Sequence, residues 1–406
     1  MTVSDNYRRP SRLRLVILTL LATCVLLGAS DAAMAGAREQ AKRLHDRLTG
    51  VPPDATVLAA MQTDLSGPNP NPVAAANRAM DNSAFYNVTL KNFVTPWTNR
   101  DQTVFAPLND YTATVIGMVR DDVDFRTVLS GDILYVGAGN LGLPAYAMNN
   151  NDHYQSLEDQ GIDLKTNLVK TTQSENTDLP TAATAGIMTT RAAAQAFFVA
   201  GTNRAMLRFT LMNHLCNDLE QLKDTTRSPD RIRQDVSRSP GGDSRIYLNS
   251  CLGCHAGMDP LAQAYAYYNY DAVSARLIYN GTSTIDPSTG TRVQAKYHIN
   301  SDNFKYGYVT PNDHWDNYWR SGPDALLGWG STPGTGDGAK SLGEELANSE
   351  AFAQCQVKKV FKTVCLRAPG NTADRNQINT LVTSFKSSGY HLKRVFAEAA
   401  AYCMGD

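Results

Sequence analysis

The chain has 406 residues, 42 % of them apolar and 19 % charged, with 38 basic side chains against 39 acidic ones. That length supports two or three domains with cores of their own. The near-neutral balance argues against a nucleic-acid binder and against strong adsorption to a membrane surface.

The N-terminus reads as an export signal. Arg8, Arg9, Arg12 and Arg14 precede an apolar run from Leu15 to Gly28, and Ala33-Met34-Ala35 offers a small-x-small cleavage site. This is the order of a secretory signal peptide over 1–35, with cleavage after Ala35. The run is shorter than the ~20 residues of a membrane span. No second long apolar segment follows, so the mature chain is expected to be periplasmic or secreted, with no transmembrane segment.

Residues 36–75 read as N-terminal helices and a Pro-rich linker. A charged helix covers 37–48, Pro52-Pro53 breaks it, and Asp54 or Thr56 caps a second helix to Leu65. Pro72 suits the first turn of the next helix. Residues 76–180 read as a helical companion module. Tyr111, Val115, Met118 and Val119 recur at helical spacing, and "DDVDFRTVLSG" repeats that pattern up to Gly131. A short extended run (133–137) and a long polar loop to Pro180 complete it.

Residues 181–340 carry the chemistry. The stretch 203–222 is the strongest amphipathic helix of this module. Residues 224–245 form a loop rich in arginine (Arg227, Arg231, Arg233, Arg238 and Arg245). Such a run is either a solvated loop or a source of guanidiniums for a bound carboxylate. Next comes Cys251-Leu252-Gly253-Cys254-His255, at the end of an expected helix. Asp259-Pro260 then reads as the cap and first residue of another helix, with Leu261, Tyr265 and Tyr268 on one face. Residues 271–340 show few regular patterns beyond a hairpin at "DPSTGTR". Residues 341–406 form a C-terminal helical module. The expected fold class is mainly α, multi-helical, with a cytochrome c-like module and long irregular loops.

Cys-x-x-Cys-His is the attachment signature of c-type haem. The two thiols of Cys251 and Cys254 would add across the haem vinyl groups, and His255 would be the proximal iron ligand. One covalent haem c is therefore expected. The remaining cysteines support an oxidising compartment. Cys24 leaves with the signal, and Cys216, Cys355, Cys365 and Cys403 suggest two disulfides. Cys355 and Cys365 lie in one expected helix, too far apart to bond. Of the two pairings left, Cys216–Cys355 with Cys365–Cys403 is the expectation.

The facing ligand of the iron is open. Met258 follows His255 too closely to reach round the ring. The candidates are His214, Met212, His298 and His314. Tyr265, Tyr268 and Trp315 either line a pocket or pack the core.

From "CLGCHAGMDPLAQAYAYYNYD" onward the chain resembles the planctomycete-type cytochrome c family. "GIMTTRAAAQAFFVAGTNRAMLRFTLMNHLC" is similar to that family's segment ahead of the haem motif, with Cys216 at its Cys. "MVRDDVDFRTVLSGDILYVG" looks like a companion N-terminal module. "SEAFAQCQVKKVF" and "FKSSGYHLKRVF" resemble its C-terminal module. The resemblance covers most of residues 75–403 and implies an exported monohaem cytochrome. It departs at "NDLEQLKDTTRSPDRIRQD", where relatives often have a Pro-rich run. Two functions follow as expectations. One is periplasmic electron transfer with a periplasmic or membrane redox partner. The other is a haem-dependent oxidoreductase of peroxidase or oxygenase type, with an open or labile distal site.

Overall fold

The computed structural model describes residues 36–199 and 201–405. The expected signal, with Ala35 and Cys24, lies outside the described residues. The chain is mainly helical, and none of its described helices is long and apolar enough to cross a membrane.

Helices α1 (Ala37–Thr49), α2 (Ala55–Leu65) and α3 (Pro72–Met80) form an N-terminal layer. Asp54 caps α2 by accepting from the amides of Thr56 and Val57, and Asn71 caps α3 ahead of Pro72. Helix α4 (Asp110–Arg120) is buried from Asp110 to Val119. Strand β1 (Leu134–Gly137), helix α5 (Asp152–Asp159) and strand β2 (Leu168–Thr171) follow; β1 and β2 pair antiparallel with Leu134 opposite Thr171. Next come α6 (Arg191–Phe197), α7 (Arg204–Thr210) and α8 (Leu252–Ala262). Two further antiparallel pairs join β3 (Tyr268–Asp271) to β4 (Arg276–Tyr279) and β5 (His314–Asp316) to β6 (Thr335–Asp337). Four helices close the chain: α9 (Gly338–Ala347), α10 (Glu350–Cys365), α11 (Thr372–Ser387) and α12 (Leu392–Cys403).

The first and last described helices pack together. Helix α12 lies against α10 and α11 and also against α1 and α3. Arg43 and Arg47 donate to the carbonyls of Met404 and Cys403, and Gln40 donates to that of Gly405. Phe396 of α12 meets Phe85 and Phe93 edge-on. One apolar core runs from Leu44 through Ile116, Phe198, Trp319 and Phe352 to Phe396. Two disulfides pin this frame. Cys216 is bonded to Cys355 and Cys365 to Cys403, with Cα–Cα distances of 5.3 and 5.4 Å. Cys355 and Cys365 share α10, as the spacing required.

Four expectations are corrected. "DDVDFRTVLSG" forms only a 3-10 stretch at Phe125–Leu129, because Asp124 caps it locally and the Phe125 amide is drawn to the Tyr390 carbonyl. The expected polar loop before Pro180 contains α5 and β2. The pairing partner of β2 is β1, on the far side of α5, and β2 exposes two of its four side chains, so no local pattern marks the strand. The helix expected over 203–222 stops at Leu215. Its last turn widens to i→i+5 bonding, and Cys216 turns left-handed (φ 55°) where the disulfide holds it. Asp259-Pro260 starts no helix; both lie inside α8. The Asp259 carboxylate binds side chains rather than the amides ahead of it, so it does not act as a cap. Pro260 supplies no amide to the Ala256 carbonyl, a local loss that the buried surroundings of the helix outweigh.

Candidate functional site

The Cys-x-x-Cys-His turn straddles a change in helical winding. Asp243 caps a first turn at Ser244–Ile246, a π-helical turn spans Tyr247–Cys251, and α8 continues from Leu252. Winding of this kind is frequent at functional sites. Cys251 and Cys254 are half-buried and unpaired, whereas the other four described cysteines are all bridged. Cys251 and Leu252 pack against Ile232, Val236, Tyr247 and Ala256. The Cys254 thiol points to the Leu219 carbonyl at 3.5 Å, and burial, then Glu220, pushes it up, away from the thiolate.

Two glycines seat this helix. A Cβ on Gly257 would lie 2.0 Å from Nε1 of Trp319, a fully buried side chain. A Cβ on Gly253 would meet the flexible side chain of Lys223 at 2.6 Å.

His255 presents its Nδ1 edge inward, 3.2 Å from both carboxylate oxygens of Asp259 one turn on. Its Nε2 makes no hydrogen bond among the described residues, and the side chain is 20 % exposed. Asp259 is fully buried. Arg204 grips it from Nε and Nη2 at 2.6 and 2.9 Å, and Arg233 adds Nη2 at 3.5 Å. Arg204 also clasps Asp235 at 2.6 and 2.9 Å. Burial alone would raise the Asp259 carboxyl. The charges of Arg204, Arg233 and His255 outweigh it and hold the group well below the carboxylate range, so it is ionised.

The arginine-rich loop is mostly not solvated. Only Arg245, 82 % exposed and paired with Asp243, fits that reading. Arg227 pairs with Asp224, and Arg231 with Asp316 and Gln263. Arg233 is buried over the Tyr297 ring at 4.8 Å. Arg238 is stacked between Tyr247 and Phe304, at 4.9 and 4.4 Å, and donates to the carbonyls of Val236 and Ile232. It has no carboxylate partner among the described residues. It borders a cavity of about 460 Å³ with Ile232, Tyr247, Phe304 and Tyr308.

The four candidates for the facing ligand scatter. His214 is fully buried in the companion core. Its Nε2 is 3.0 Å from the Tyr111 hydroxyl, beside Trp97 and Phe352. Burial, helped by Lys359, pushes it well below the ordinary histidine value. That is the setting of a core histidine. His298 reaches the Thr310 carbonyl at 3.3 Å. His314 is held by Asp337 at 2.9 Å and by Thr335 in the β5–β6 pair. Met212 differs. It is half-buried against the main core, two residues beyond α7, the helix that packs on α8 and sends Arg204 to Asp259. Two residues apart on a helix, Met212 and His214 face nearly opposite ways.

Tyr265, Tyr268 and Trp315 belong to the core. They donate to the Met188 sulfur, the Ala183 carbonyl and the Ser341 hydroxyl. Met258, too, is buried in that core. Sequence reading missed Asp259 and Arg204 as parts of the site. The signal available was the i, i+4 spacing of His255 and Asp259, which a reading of Asp-Pro as a helix start conceals.

No family model, no curated protein and no solved structure matches this chain. The donor set itself bears on the cofactor. Among the described residues no group of three or more His, Cys, Asp or Glu converges as a metal cage. A lone histidine beside two free thiols on one turn suits a metal whose remaining ligands arrive with a macrocycle. Two thiols and one histidine are also a zinc donor set, but among the described residues these three side chains do not converge on one point.

Proposed function

We propose that this chain is an exported c-type cytochrome that holds one covalent haem and transfers electrons to or from a periplasmic or membrane redox partner. The observation that carries the reading is the state of one helical turn. Cys251 and Cys254 stay unpaired beside His255, whose Nδ1 is already engaged by Asp259. Cys251 and Cys254 would anchor the haem, and Nε2 of His255 would bind its iron. The haem would supply a one-electron couple.

The protein's own contribution is placement. Asp259 fixes the ring orientation and tautomer of His255, since Nδ1 must carry the proton it shares with the carboxylate. Trp319 against Gly257 and the packing of Leu252 on Ile232 and Val236 hold the turn. Arg238, without a carboxylate partner among the described residues, is our choice for a haem propionate. Met212 is our choice for the facing ligand, because it lies two residues past the end of α7, the helix that packs on α8. Export is supported by the signal pattern of residues 1–35 and by the disulfides.

The test is covalent haem. The wild-type protein, made with a c-type maturation system, should stain for haem after denaturing electrophoresis. Cys251→Ser with Cys254→Ser should lose all staining. Staining that persists in the double variant would refute the assignment. The second reading, an oxidoreductase with an open distal site, is favoured by the engagement of His214, His298 and His314 elsewhere. Carbon monoxide separates the two. The reduced wild type should bind it slowly or not at all, and Met212→Ala should bind it at once. Immediate, stoichiometric binding by the wild type would support the open site instead.

A further inference from the structure

The buried carboxylate behind His255 has a consequence beyond orientation. A ligating histidine whose Nδ1–H meets a neutral carbonyl stays an ordinary imidazole. One whose Nδ1–H meets an ionised carboxylate gains anionic character and becomes a stronger donor to the metal. Here the partner is a carboxylate, equidistant from Nδ1 through both oxygens, on the next turn of the same helix. It is fully buried, so water does not screen it. Arg204 grips both of its oxygens, and Asp235 steadies that guanidinium from the other side.

We propose that Asp259, positioned by Arg204, is the residue that sets the potential of the site, by strengthening His255 as a donor and favouring ferric over ferrous iron. This rests on the haem reading above. Asp259 contacts His255 at Nδ1 and not at Nε2, so it is a positioning residue that acts through His255. The set Asp235–Arg204–Asp259–His255 runs from a partly exposed carboxylate to Nδ1 of His255, the ring nitrogen opposite Nε2. The geometry assigns a different role to each acid. Asp259 meets both Arg204 and His255, whereas Asp235 meets only Arg204.

The experiment compares Asp259→Asn, Asp259→Glu and Asp235→Asn with wild type in the full haem-loaded protein, by spectroelectrochemical titration. Haem staining on denaturing gels comes first. An unstained wild type overturns the haem reading itself, separately from this proposal. With haem present, Asp259→Asn should shift the midpoint upward. Asp259→Glu, which keeps the charge on a longer arm, should recover part of the wild-type value. Asp235→Asn should shift it least. If Asp259→Asn does not fold, the ordering of Asp259→Glu above Asp235→Asn carries the test. An unchanged midpoint in a folded, haem-loaded Asp259→Asn, or equal shifts for Asp259→Glu and Asp235→Asn, overturns the proposal.

Discussion

Two regions of this molecule are held together by different physics. The frame of α1–α4 and α10–α12 is apolar and pinned: aromatic edges meet across it, and both disulfides end in α10 or its neighbours. The region around α8, from about residue 219 to 337, has few regular elements. It relies on charged groups instead: Arg204 and Arg233 on Asp259, Arg231 on Asp316, and Arg320 on the buried Glu345. A buried charge network is weak evidence for stability, but it fixes geometry when every member is paired. The frame therefore supplies stability, and the α8 region supplies a positioned histidine with two free thiols beside it.

That division is open to test by breaking each region in turn. The largest effect is expected from Cys216→Ala with Cys355→Ala. The bridge closes a 139-residue separation, and its loss should cost about 2–5 kcal/mol on a chain-entropy account. Denaturant melts of the wild type and this variant measure it directly. The frame should loosen, and the helix ending at Leu215 should lose its fixed stop. A melt unchanged by that loss would contradict the pinned-frame account.

A smaller, local effect is expected at the glycine seats. Gly257→Ala drives a methyl into the Trp319 indole, which is rigid and buried, so overpacking should cost about 1–3 kcal/mol. Gly253→Ala meets chiefly the flexible stem of Lys223, with Thr225 and the Asp224 amide at 3.3 and 3.4 Å, and should cost clearly less. Thermal melts of the two variants sharpen the comparison. Equal losses would mean that α8 is not seated where Trp319 and Gly257 meet.

The frame was the more legible region. Helices over 37–48, 109–120 and 341–403 announce themselves through caps and spacing, and Asp54 and Pro72 act as read. The pairing Cys216–Cys355 and Cys365–Cys403 also stands, since a helix carrying Cys355 and Cys365 leaves few choices. What local pattern could not give was long-range: the β1–β2 pairing and the short reach of the helix after Asn203. The chemistry-bearing turn was legible as Cys251, Cys254 and His255, yet its support was not. Asp259 followed by Pro260 looks like a helix start. Only the fold brings Arg204, 55 residues earlier, onto that carboxylate. The surroundings of His214 were hidden for the converse reason: its proximity to Cys216 in sequence says nothing of the direction in which the helix turns it, and it faces Tyr111.

The central claim is that the Cys251–His255 turn holds one haem covalently. The intact mass of the exported, purified wild-type chain tests it most directly, read together with its alkaline pyridine spectrum. The account predicts a mass equal to the mature chain plus one haem, with a c-type pyridine haemochrome band. A mature chain at its bare polypeptide mass, from cells shown to mature another c-type cytochrome, would contradict it.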